Sequence, residues 1–177
     1  MVSPLSRPMV GSQADRPFAM RPSTHFLRAF AGSEGQIDVL ERYGALAARI
    51  LISQIFLISG VMKIVDWSGT EAEMAKHGMV WIPFFHVAAM LVELGAGLSL
   101  LLGYKARLGA LVLFLFLIPV TLTFHHFWSD PPDQQKVNML FFMHNLSLMG
   151  GLLLIMTWGP GSLSLDRKGR GLSGRHD

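Results

Sequence analysis

The sequence predicts an all-α membrane protein, an antiparallel bundle of four transmembrane helices. Three observations predict it. The 177 residues are 51% hydrophobic and only 15% charged, whereas soluble domains carry about a quarter charged residues. Four apolar segments each approach the roughly 20 residues needed to cross about 30 Å of hydrocarbon as a helix. Basic residues are distributed asymmetrically between the loops. The strands of a membrane β-barrel would be about half as long and alternating, and no solenoid repeat is visible.

In chain order, residues 1–40 scatter Pro, Arg, Ser and Gly without periodicity and lack the apolar core of a signal peptide. This segment is expected to be a flexible, basic cytoplasmic tail, with Met20 a candidate start. The transmembrane domain is expected over 41–160. Its spans are placed at about Tyr43 to Ile64, Pro83 to Leu102, Leu108 to Phe127 and Asn138 to Trp158. Only Glu93 interrupts the second, and Pro119 is expected to kink the third. Short loops favour an up-down bundle. Gly95, Ala96, Gly97, Gly150 and Gly151 are expected to let helices approach closely. Residues 161–177 form a second basic tail.

The chain contains no cysteine, which excludes disulfides, thiolate-bound metals and dithiol redox chemistry. Eleven Lys and Arg residues fall in the two tails and the second loop. Lys63, Lys76 and Lys136 are the three in loops one and three. Positive residues favour the cytoplasmic side, so both termini and loop two are expected inside.

Polar residues inside a bilayer are costly and point to function or to structural pairing. On the first span Arg49, Ser53, Phe56, Gly60 and Lys63 make one helical stripe, and the second repeats it with His86, Met90, Glu93 and Gly97. The fourth presents Asn138, Phe142, Asn145 and Met149 with His144 alongside, and the third presents Thr121 and His125. These stripes are expected to face each other, with most polar atoms in the outer half of the bundle. Glu93, near mid-membrane, must be protonated, paired or solvated. Lys63 and His126 are equally readable as interfacial residues. Arg49 is read as a structural residue that snorkels inward or pairs with Glu93. His86 reads as a surface or helix-end histidine, and Asn145 as either a ligand or interhelical glue.

The ligand-binding candidates are therefore His125, Glu93, Asn145, Lys63, His144 and His126. Helical spacing favours His125 over its neighbour: His125 follows Thr121 toward the bundle axis, while His126 follows Leu122 toward lipid. No HxxxH or similar spacing occurs, so no metal site is predicted and haem is the weaker alternative. The lipid bilayer is the expected partner, with a second copy beyond it, and nucleic acid is not expected.

The stretches "RILISQIFLISGVMKI", "MLVELGAGLSLLLGYKARLGALVLFLFLIPVTLTFHHFW" and "NMLFFMHNLSLMGGLLLI", with the closing "GPGSLSLD", resemble the DoxX family of small bacterial membrane proteins. The likeness runs in order from about Arg49 to Asp166. It implies a four-helix, multi-pass protein of the bacterial inner membrane, associated with quinone-linked redox subunits, with a membrane redox complex as partner and a quinone or similar lipid-soluble redox molecule as the favoured ligand, whose ring carbonyls need facing hydrogen-bond partners and a titratable group. Distant relatives act as membrane chaperones or cargo factors, so the resemblance equally implies a non-catalytic assembly subunit as the alternative, and it does not establish an enzyme.

Overall fold

A computed structural model describes residues 34–166. The expected tails 1–40 and 161–177 fall largely outside these residues. Helices α1 (Glu34–Val65), α3 (Ile82–Leu102), α4 (Ala106–Phe124) and α5 (Pro132–Trp158) are joined by a short helix α2 (Trp67–Lys76) and a 3-10 turn, Phe127–Ser129. Among the described residues, four helices are long and apolar enough to cross a membrane. They run up and down, so that the α1–α3 and α4–α5 connections share one end, here the loop end, and the chain termini share the other.

Several helix ends differ from the sequence expectation. α1 begins at Glu34 rather than near Tyr43, because the polar stretch before Tyr43 still contains good helix formers such as Leu40 and Glu41. α5 begins at Pro132 rather than Asn138. Proline is tolerated in a first helical turn, where its missing N–H has no partner to lose. α4 stops at Phe124, before the two histidines. There the His126 ring Nδ1–H donates to the Thr123 carbonyl at 2.9 Å, while the Phe127 amide turns to the His125 carbonyl at 3.0 Å. The ring has taken the carbonyl that the Phe127 N–H would have used in a longer helix, and the helix ends. Pro119 lies inside α4, which continues past it.

The short helix α2 was not foreseen from the sequence. Asp66 caps its start by accepting from the Gly69 amide at 3.2 Å, and Gly78, at φ +67°, follows its end. These are ordinary start and stop signals around a ten-residue helix.

The apolar core occupies the half of the bundle nearer the termini. Phe56 on α1, Leu100 on α3, Leu113 and Leu117 on α4, and Leu152 and Ile155 on α5 are buried there. α1 and α3 approach closely at Gly60, where an added Cβ would lie 2.7 Å from Leu94. Gly97 faces Leu57 and Gly151 faces Ile52 in the same way, whereas Gly95 and Gly150 face open space. The outer surface carries exposed large apolar side chains on every long helix, as hydrocarbon requires.

At the terminal end the chain is tied down by Arg49 and Asp166. Arg49 is 1% exposed. Its guanidinium donates to the Leu100 and Leu101 carbonyls at 3.4 and 3.3 Å, and to the Leu163 carbonyl. The first two belong to the last turn of α3, where the regular helical bonding runs out and Leu100 is otherwise met only by the Gly103 amide at 3.2 Å. Arg49 therefore neither reaches Glu93 nor snorkels to the surface. Asp166 accepts from the Lys105 and Ala106 amides at 2.7 and 3.1 Å and so caps α4 from 60 residues away. Gly103 between them stands at φ +66°, and a side chain there would meet both Arg49 and Ser164.

Candidate functional site

The half of the bundle nearer the loops is hollow. A cavity of about 620 Å³ opens there between all four long helices and α2, within the usual range for small-ligand sites. Core residues Phe56 and Leu117 form part of its floor. Five of the sequence candidates line it: Lys63, Glu93, His125, His144 and Asn145. His126 does not.

Lys63 and Glu93 form an ion pair across the α1–α3 contact. The Lys63 ammonium lies 2.8 Å from Glu93 Oε2 and donates to Oε1 at 3.0 Å. Ser59, one turn before Lys63, donates to the same Oε1 at 3.1 Å and accepts from Lys63 at 2.9 Å. The side chains are 18% and 7% exposed, so the charges balance each other largely away from solvent. The close passage of α1 at Gly60 brings the two together. Ser59 was absent from the α1 stripe read from the sequence, although its four-residue offset from Lys63 is the signal that reveals it.

On the opposite wall, α4 and α5 are joined by Asn145, whose amide donates to the Thr121 hydroxyl at 3.0 Å. The His125 ring stacks on Phe141 with centroids 5.2 Å apart. His125 lines the cavity, and its Nδ1 is buried with no hydrogen-bond partner. His126 spends its Nδ1–H on Thr123 and packs edge-on against His77 and Trp128. It is half-buried against protein rather than turned to lipid. The helical-wheel argument for separating the histidines does not apply, since neither residue is helical.

Helix α2 roofs the cavity. Met74 is buried beneath it, and His77 packs edge-on against Phe124 of α4 with centroids 4.9 Å apart. At its rim the Lys76 hydrogen bond, assisted by His77, holds the Glu73 carboxyl below the usual carboxylate range. Asn138 donates to Asp130 at 2.6 Å and closes the α4–α5 connection.

His86, read as a surface or helix-end residue, is fully buried at the start of α3. Its Nε2–H donates to the Lys63 carbonyl at 3.1 Å, and its ring lies 4.1 Å from that of Trp67. It thus caps the last turn of α1 and fixes the backbone of the residue that holds Glu93. Among the described residues no group of three or more His, Asp or Glu side chains is placed to hold a metal ion.

Comparison with known proteins places this architecture. The DoxX family model matches residues 44–126, which includes the ion pair and His125. The inner membrane protein YqjF of Escherichia coli (strain K12) is 37% identical over 129 residues, 72% of this chain and 93% of that protein. The inner membrane protein YphA of the same organism is 32% identical over 123 residues, 70% and 88% of the two chains. A Surfeit locus protein 4 homolog of Schizosaccharomyces pombe is 30% identical over 145 residues, 80% of this chain but 43% of its own length. No solved structure matches. Four membrane-crossing helices and inner-membrane relatives matched over most of their own length show a multi-pass inner-membrane protein, and the chain belongs to the DoxX family.

Proposed function

We propose that the protein is a quinone-linked, redox-associated membrane subunit that holds a quinone headgroup in the cavity at the loop end. One observation carries this reading. His125 presents a buried Nδ1 without a partner in the wall of a cavity whose other side is the Lys63–Glu93 ion pair. Buried polar atoms are normally satisfied, and an orphan in a cavity wall suits a hydrogen-bonding ligand.

His125 as the Nδ1–H tautomer and the Lys63 ammonium are donors able to serve two ring carbonyls. Phe141 and Phe124 supply aromatic walls for a planar ring. A bound quinone would supply reversible two-electron, two-proton chemistry. For its part, the chain offers Glu93 and Lys63 as an acid–base pair, with ionised Glu73 at the water-side rim. The excess of basic residues at the terminal end supports placing the loop end outside the cytoplasm.

Lipid extraction of detergent-purified protein, followed by titration with a short-chain quinone, tests the reading. Stoichiometric quinone in the extract, or saturable micromolar binding lost at least tenfold in His125→Ala, is expected. Absence of both would leave the non-catalytic assembly subunit as the function.

A further inference from the structure

We infer that the cavity is reached sideways from the bilayer, through a mouth between α1 and α5, and that its ligand is an amphiphile whose chain remains in the lipid. This deepens the proposed function and rests on the cavity being a binding site, whatever its headgroup.

Exposure of the lining residues locates the mouth. Those contributed by α1, α3 and α4 are all buried or half-buried, whereas Gln134, Phe141 and His144 on α5 and Glu73 on α2 are exposed. The mouth therefore runs along one edge of α5. The α4 side of that helix is closed by the Asn145–Thr121 hydrogen bond and the His125–Phe141 stack. On the other side α1 and α5 meet lower down, where a Cβ on Gly151 would lie 2.8 Å from Ile52. Above that contact the two helices line opposite walls of the cavity through Ser59 and His144.

Depth decides which solvent the mouth meets. The polar opening of α5 ends at Lys136, and Val137 begins its apolar course. His144 lies seven residues further, about 10 Å into the hydrocarbon at 1.5 Å per residue. An imidazole exposed to hydrocarbon at that depth is unfavourable. At the threshold of a polar cavity it can turn to the polar lining instead. Toward water α2 covers the cavity, with Met74 buried beneath and His77 against Phe124, and leaves Glu73 and Gln134 at the water-side rim. A ligand with a polar head and a long apolar chain fits this geometry, its head near Lys63 and His125 and its chain passing His144.

The absence of cysteine makes the route measurable. Ala89→Cys places one thiol in the cavity wall. In liposomes it is labelled by a pyrene maleimide dissolved in the bilayer, or by a disulfonated stilbene maleimide confined to water. Each rate is normalised to the same reagent at the exposed Ala75→Cys. The bilayer reagent should be at least tenfold faster. Adding His144→Trp should slow it at least fivefold, while His144→Ala holds or raises the rate and Leu140→Trp changes it less than twofold. Faster labelling from water, no labelling by either reagent, or indifference to His144→Trp overturns the inference. If the Trp variant does not fold, the reagent preference of Ala89→Cys alone decides. No quinone is needed, so a failed headgroup assignment leaves these rates standing, and water-side access would overturn the mouth even with quinone bound.

Discussion

Lys63 and Glu93 meet at 2.8 Å inside a membrane bundle, 30 residues apart in sequence, with Ser59 bonded to both. Their proximity depends on the glycine beside Ser59, because a side chain at Gly60 would run into Leu94 at 2.7 Å and crowd the Glu93 Cβ at 3.4 Å. The backbone carbonyl of Lys63 is in turn held by His86. The pair is thus fixed through both its side chains and its main chain.

Removing one member of this pair leaves a buried charge without its counter-ion, which costs about 3–5 kcal/mol. Glu93→Ala should therefore lower thermal stability in detergent strongly. Glu93→Gln should lower it less, because the amide still accepts from Ser59 and Lys63. The double change Lys63→Met with Glu93→Gln should be more stable than Lys63→Met alone. If both Glu93 changes left the melting temperature and the cellular phenotype untouched, the carboxylate would not be the buried partner described here.

Arg49 makes a separate prediction at the other end of the molecule. It satisfies carbonyls from α3 and from the segment after α5 at once. Arg49→Lys keeps the charge but not the planar fork that reaches all three. A loss on the order of 2–3 kcal/mol is expected even for this change. Asp166→Ala removes the cap of α4 and should cost about 1 kcal/mol. Melting curves of the purified variants check both, and ligand binding at the opposite end should be unchanged.

Topology follows from charge and is tested directly. Reporter fusions after Lys105 and after Asp166 should report cytoplasm, and fusions near Glu71 and Asp133 should report the outside. A cytoplasmic Glu71 would place the cavity at the inner surface and reverse the proposed orientation.

The four spans were legible because hydrocarbon imposes length and apolarity on every crossing segment, and both can be counted in a sequence. That Lys63, Glu93, His125 and Asn145 line one cavity was legible because unpaired polar groups are excluded from lipid and must turn inward. Helical periodicity alone could not show which polar groups would pair. Arg49 and Glu93 lie on similar stripes, yet Arg49 is taken by the carbonyls of the last turn of α3, which no helical wheel displays. Helix α2 escaped notice because its ten residues are too polar to resemble a span, although Asp66 and Gly78 bracket it. The end of α4 was misplaced for a similar reason. A side-chain bond from His126 to a main-chain carbonyl outweighs one more turn of helix, and nothing in hydropathy records it.

That bond gives the adjacent histidines different expected roles. His126 donates to Thr123, closes α4 and lies outside the cavity lining. His126→Ala should lower stability by about 0.5–1.5 kcal/mol, the net contribution of one such hydrogen bond, and leave ligand retention within twofold. His125 contributes no side-chain bond to the helix end, and its Nδ1 is unpartnered in the wall of the cavity. His125→Ala gives up only the stack on Phe141 and should cost about 1 kcal/mol, while reducing retention of a bound quinone at least tenfold. His125→Asn keeps a donor and an acceptor on a shorter side chain and should retain more than the alanine variant. Retention and melting measured on the same preparations separate the two roles. Loss of retention in His126→Ala alone would move the ligand toward His77 and the underside of α2. Equal tolerance of both changes would mean that neither ring meets a ligand, and that the pair serves only to end the helix at the membrane surface.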